Sequence, residues 1–240
     1  MPALIAIDTS TDACSVASLW ADDLHEVHQS LPRAHNRHVL AMVREVMGSA
    51  RLDNLSAIVC GIGPGSFTGL RIATSVAQGL AWALGIPVIP FCSLQAQALT
   101  AVYGQEGISA QEPVQVVSCM DTQTGQVYAR SFAWGPRGLN TTSEPWVGPP
   151  SDLFDQLPVD RSRPSWIVGS GASLLQALEE LDGAGVSQYA AEPRPRAGLM
   201  LREVRAQAAA FPSIEAHRLT PRYVQSTIAW KKLAEQPRRV

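Results

Sequence analysis

The chain has 240 residues, 46% of them hydrophobic, and a formal net charge of -2. That length is enough for one large core or two small ones. The near-neutral charge excludes a protein that grips nucleic acid unaided through a basic surplus. Cys14, Cys60, Cys92 and Cys119 stand far apart, which excludes a zinc ribbon and a dense disulfide scaffold.

In chain order, residues 3–7 are a short apolar run, "DTSTD" is a turn and "ACSVASLW" has strand character, which together read as a hairpin. No basic region precedes the first run, so no signal peptide is expected. A further extended segment covers 24–30 and ends at Pro32. Val39, Leu40, Met42, Val43, Val46 and Met47 give residues 35–49 a helical pattern, stopped near Gly48. "LSAIVCGIG" is a strand buried on both faces. Residues 66–84 form a helix with Ser66 as N-cap, "IPVIPF" is a short strand, and 93–103 is helical. The longest apolar stretch, 76–92, is broken by Gly79, Gly85, Pro87 and Pro90, which argues against a membrane span. Each cysteine lies in an apolar run and reads as a reduced core residue. A cytoplasmic location is expected.

The second half begins again. "VQVVSCM" and "QVYARSFAW" are strands about the turn "DTQTG". Residues 135–164 are a loose Pro/Gly-rich region. "SWIVGSGA" is a strand ending in a glycine loop, "SLLQALEEL" and 197–210 are helical, and "LTPRYV" is extended. "DTSTDACSVA" lies over "DTQTGQVYA", and "IVCGIG" is echoed by "WIVGSG", each followed by a helix. A duplicated α/β unit is the economical reading, with subdomains at 1–105 and 106–240.

The loop "GIGPGSFTGLR" resembles a phosphate loop. A Walker loop needs a lysine after its last glycine, and none is present. A dinucleotide fingerprint needs a third glycine where Ser66 stands, and an acid about twenty residues on. No Asp or Glu occurs from 54 to 105. Backbone amides at a helix start can still hold an anion, but a structural turn is the simpler reading. In the helix that follows, Arg71 is the only charge. Gly69, Ala73, Ala77 and Ala81 form a stripe of small residues, with Phe67, Leu70, Val76, Leu80 and Leu84 beside it. Two readings stay open: a helix buried within one domain, or one that also meets a partner protein. Asp8 is either a turn-capping residue or an acid that organises a metal and its water. His25 and His28 fall on opposite strand faces, while His35 and His38 can share a helix face. Without a third ligand neither pair makes a metal site, so solvated or capping roles are expected. "GPGSFTG" is not the GxSxG of a nucleophile elbow.

"AIDTSTDACSVAS", "GIGPGSFTGLRIATSVAQGLA", "IPVIPFCSL", "MDTQTGQVYA" and "PRYVQSTIAWKK" resemble the TsaB (YeaZ) family of the bacterial tRNA threonylcarbamoyladenosine pathway, across nearly the whole chain. The resemblance implies an α/β, actin/Hsp70-like fold of duplicated ribonuclease-H-like subdomains, with mixed sheets flanked by helices. It implies a non-catalytic subunit that activates the paralogue TsaD. TsaD transfers threonylcarbamoyl to N6 of adenosine 37 in tRNAs reading codons that begin with A, with ATP entering through TsaE. Ser93 and Gln97 fall where TsaD has its HxxxH metal ligands, so no metal is expected, and no cofactor held by this chain alone. The implied partner interface uses the helices 35–49 and 66–84, through His35, Val39, Val43, Met47, Phe67, Leu70, Ala73 and Ala77. It also serves a homodimer when the chain is alone. Ala73→Glu and Ala77→Arg are then expected to abolish pairing and spare the fold. Asp8, Asp121 and Gly169 would line a vestigial nucleotide cleft, and tRNA would be met only through the complex. The alternative is a stand-alone ATPase or phosphotransferase using Asp8, Asp121 and the glycine turns.

Overall fold

The computed structural model describes residues 3–48, 52–104, 113–122, 124–160, 162–178 and 186–224. The first half runs β1 (Ala3–Asp8), β2 (Ala13–Trp20), β3 (Asp23–Ser30), α1 (His35–Met47), β4 (Leu55–Gly63), α2 (Phe67–Leu84), β5 (Val88–Cys92) and α3 (Ser93–Gly104). Its strands lie in the order β3-β2-β1-β4-β5. β1, β2 and β3 are antiparallel neighbours, and β4 and β5 run parallel to β1. The second half runs β6 (Val114–Asp121), β7 (Val127–Gly135), β8 (Gly138–Thr141), β9 (Trp146–Gly148), α4 (Leu153–Gln156), β10 (Ser165–Val168), α5 (Ala172–Gln176), β11 (Val186–Ala190) and α6 (Ala197–Ala206). Its order, β11-β10-β6-β7-β8 with β9 also on β7, matches the first sheet strand for strand. This is the duplicated, mixed-sheet arrangement that the sequence leads us to expect.

Every residue of β1 is buried, because its sheet is covered on both faces. Alternation sends Leu4 and Ala6 to one face, with Ala17, Leu19 and Val59. Ala3, Ile5 and Ile7 go to the other, with Val39, Val43, Ala73 and Ala77 from α1 and α2. The two halves exchange their last helices. α3 packs on β6 and β7 of the second sheet, α6 packs on β1 and β2 of the first, and α3 and α6 touch. The central core is therefore shared by both halves, and a third cluster lies under α4 and α5.

Several expectations are corrected. Residues 135–164 are not loose: they hold β8, β9 and α4. Strands of four and three residues between Gly and Pro carry too little alternation to be read. β11 escapes the sequence reading for the same reason. The helix read at 173–181 is α5, which ends at Gln176 with Ala177 as its C-cap, and residues 179–181 of that reading lie outside the described residues. The helix read at 197–210 ends at Ala206 and continues as a separate 3-10 turn. The segment read as extended at 219–224 forms no strand. It returns to the first half, where Arg222 N–H donates to the Ile62 carbonyl at 2.8 Å. All of "QSTIAWKK" lies outside the described residues, as does everything after it.

Candidate functional site

The turn after β1 is closed by its own hydrogen bonds. Asp8 is 1% exposed. Its Oδ1 accepts from the Ser10 amide (2.9 Å) and hydroxyl (2.7 Å), and its Oδ2 accepts from Ser93 Oγ at 2.8 Å. Gly61 makes room for it: a Cβ there would sit 1.9 Å from Asp8 Oδ2. Burial pushes the Asp8 carboxyl above the usual carboxylate range, against the opposing pull of the Ser10 and Ser93 bonds. The capping reading of Asp8 is the one the geometry matches. Both carboxylate oxygens are engaged, and the wall beside them is backbone.

Ser93 and Gln97 stand one helical turn apart on α3, both fully buried. Ser93 Oγ donates to Asp8 and accepts from the Gly63 amide at 3.2 Å. Gln97 Oε1 accepts from Ser118 Oγ at 2.7 Å, and its Nε2 donates to the Pro193 carbonyl at 3.1 Å. A hydroxyl and an amide so occupied do not fit a transition metal. Gly169 lies against the Gln97 amide. Asp121 is exposed and accepts from Ser170 Oγ at 2.8 Å. Asp8 and Gly169 therefore meet successive turns of α3, while Asp121 faces solvent.

The same turn fixes α2. Ser66 N–H donates to the Ser10 carbonyl (2.7 Å), and Thr9 Oγ1 donates to the Gly69 carbonyl (2.7 Å). Ser66 Oγ caps the helix by accepting from Gly69 N–H at 3.3 Å, as the sequence suggested. A Cβ on Gly69 would stand 1.9 Å from the Thr9 carbonyl oxygen. The glycines of "GIGPGSFTGLR" thus let α2 seat tightly on its own sheet.

That seating corrects the expected interface. Ala73 and Ala77 are 0% exposed and Leu70 is 1%. Val39, Val43, Met47 and His35 are buried as well. These side chains pack inside the chain, and of the eight residues named only Phe67, at 55%, is open to solvent. The alanine stripe faces the sheet. The outward stripe of α2 is Thr68, Ser75, Gly79 and Ala83, with exposed Trp82 beside it. Ala73→Glu and Ala77→Arg would strike the core rather than spare the fold. His35 is not solvated: its Nε2 is buried without a protein partner among the described residues, whereas His38 is exposed.

Between the outer faces of α1 and α2 lies a groove of about 420 Å³, lined by Asn36, Val39, Leu40, Phe67, Thr68, Arg71, Ile72, Ser75 and Val76, so that Val39, though buried, forms part of its floor beside Phe67. Leu40 is 56% exposed and Trp82 72%. At one end Arg71 lies 3.9 Å from the Phe67 ring centre and donates to Tyr223 Oη at 3.0 Å, and the Phe67 and Tyr223 rings pack 5.2 Å apart. Sequence reasoning missed Tyr223, whose approach is set by tertiary structure alone.

Across the halves, Arg194 pairs with Asp12 at 2.6 Å and Arg196 with Glu26 at 2.9 Å. The first amides of α6 donate to side chains of the first sheet: Ala197 N–H to Ser15 Oγ and Gly198 N–H to Glu26 Oε1, each at 2.9 Å. These satisfy donors that a helix start leaves open. Burial raises the thiols of Cys14 (to about 12), Cys60 and Cys119, with Asp8 adding to the first two and Asp121 to the third. All are poor nucleophiles at neutral pH.

Comparison with known proteins adds to this geometry. A family model described as TsaD, tRNA N6-adenosine threonylcarbamoyltransferase, matches residues 27–157. The tRNA threonylcarbamoyladenosine biosynthesis protein TsaB of Haemophilus influenzae is 31% identical, over 96% of each chain. The Escherichia coli protein of that name is 30% identical, over 96% of this chain and 97% of its own. The structure of YeaZ from Pseudomonas aeruginosa superposes with a TM-score of 0.80 at 29% identity, covering 93% of this chain and all of that one.

Proposed function

The chain belongs to the TsaB (YeaZ) family of tRNA threonylcarbamoyladenosine biosynthesis proteins, and from that premise we propose that it is a non-catalytic subunit which binds and activates a TsaD enzyme in the cytoplasm. TsaD would carry the transfer of threonylcarbamoyl to N6 of adenosine 37, with TsaE and ATP joining the assembly. Alone, the chain would pair with itself through the same face, and tRNA would be reached only through the complex.

The observation that carries this reading is the groove on α1 and α2. Leu40, Phe67 and Trp82 are large apolar side chains held in the open on two long helices. Exposed apolar surface of this kind on rigid elements marks a docking face. Rigidity supports the role. α2 is bolted to the turn at Thr9 and Ser10 by backbone and hydroxyl bonds, so little ordering is left for the moment of binding.

The sealed turn supports the non-catalytic half of the reading. A phosphotransferase of the actin class needs its strand-end acid free to organise a metal and water. Here both Asp8 oxygens are committed to Ser10 and Ser93, so the ATPase alternative has no available acid at that position.

The test is light scattering on the chain mixed with the TsaD of the same organism, followed by a tRNA modification assay with TsaE and ATP. Modification that requires this chain, and is lost in Leu40→Asp, is the expected result. Modification that proceeds equally without the chain would contradict the proposal.

A further inference from the structure

Resting on that reading, we infer that the α1/α2 face is selected by charge for a different protein, one whose matching surface carries carboxylates around an apolar centre, and against a second copy of this chain. The groove at the middle of the face is lined by apolar Val39, Leu40, Ile72 and Val76, with Phe67 at one end, and exposed Trp82 stands further along α2. Its charged residues are of one sign. On α1, Arg37 and Arg44 are exposed and stand seven residues apart, two turns along the ridge that also carries Leu40. On α2, Arg71 is the only charge. The one acid on the two helices is Glu45, which the helical period turns a step further round α1, away from α2. Among the described residues, the ion pairs lie elsewhere and leave Arg37 and Arg44 without a carboxylate.

A two-fold dimer through this face is self-complementary by symmetry, so each patch meets its own image. The arginines of both copies would then converge around one apolar centre with no acid in the patch to offset them. Like charges across an interface oppose association, and opposite charges speed and orient it. A partner with a carboxylate rim gains on both counts. A nucleic acid would meet the arginines but leave Leu40, Phe67 and Trp82 uncovered, so a protein is the occupant the whole face fits.

The test measures dissociation constants for the self-complex and for the complex with the cognate TsaD, at about 50 and about 500 mM NaCl, a range over which screening becomes severe. It uses the wild type, the double variant Arg37→Glu with Arg44→Glu, and Leu40→Asp. The mixed complex is expected to be tighter than the self-complex at low salt, and to weaken about ten-fold as salt screens the rim. The self-complex is expected to hold or tighten over the same range. Charge reversal is expected to weaken the mixed complex about ten-fold or more and to strengthen self-association, because the introduced carboxylates of one copy would then face Arg71 of the other. A self-complex tighter than the mixed one at the lower salt would overturn the inference. So would a mixed complex that Leu40→Asp abolishes while salt and charge reversal leave it unchanged, and that result keeps the functional reading. No mixed complex at either salt would defeat the functional reading and the inference with it.

Discussion

The two halves share a strand order and differ in what they build on it. On the outer face of the first sheet lie α1 and α2, 13 and 18 residues long. On the outer face of the second lie α4 and α5, of 4 and 5 residues. The long pair buries six residues from each helix and still presents an exposed apolar face. The short pair does little more than cap its core through Leu153, Phe154, Ala172 and Leu175. The two D-T-x-T turns diverge in the same way. Asp8 is sealed by Ser10 and Ser93, whereas Asp121 stays in solvent beside Ser170. A repeated scaffold thus carries a rigid presenting surface on one half and only a cover on the other.

The largest effect is expected where the presenting half meets its own sheet. Ala77→Arg buries an unpaired cation at a position with no exposure and should cost about 3–5 kcal/mol, read as a collapse of the urea midpoint. Gly69→Ala pushes a methyl into the Thr9 carbonyl and should cost about 1–3 kcal/mol. A wild-type midpoint for either would mean that the small-residue stripe faces outward after all.

On the outer side of the same helices the expectation reverses. Leu40→Asp or Trp82→Asp should leave stability within about 0.5 kcal/mol, because both side chains already stand in solvent. Binding to TsaD should fall at least about ten-fold, as for a central apolar contact.

Asp8 gives a smaller, pH-dependent signature. Its folded value is raised, so the folded chain holds that proton more tightly than the unfolded chain does. Its contribution to stability is therefore greatest below the ordinary aspartate value of about 3.9, and is lost as pH rises from there through the raised folded value. Glu203, raised by its own burial, acts in the same sense. Asp8→Asn should flatten that part of the profile, and unchanged slopes in acid melts would show that the carboxyl is not sealed. The smallest effect belongs to the covering half. Leu174→Asp on α5, exposed like Leu40, should change neither stability nor partner binding in the same assays.

Much of the fold is legible because its first half is built from long, strongly patterned elements. The β1–β2 hairpin, the two-sided burial of β4, and α2 with its Ser66 cap all follow from local rules. β8, β9 and β11 are not legible: each is short, and each is held by the strand it pairs with rather than by its own pattern. The site is half legible. Periodicity picks out α1 and α2 as the elements that matter, but it cannot say which apolar stripe faces the sheet. Small residues suit a close contact with another helix, which favours an outward reading of Ala73 and Ala77. The same smallness suits a helix seated against backbone at Thr9. Tyr223 and Glu26 act on elements far away in sequence, and no local signal announces either.

The most direct test of the account is the affinity of a Leu40→Asp/Trp82→Asp chain for its TsaD, measured beside its thermal melt. A wild-type melt with binding lost is the predicted result, and it would place the docking face on the outer side of α1 and α2. Undiminished binding by that folded variant would contradict the assignment of this surface.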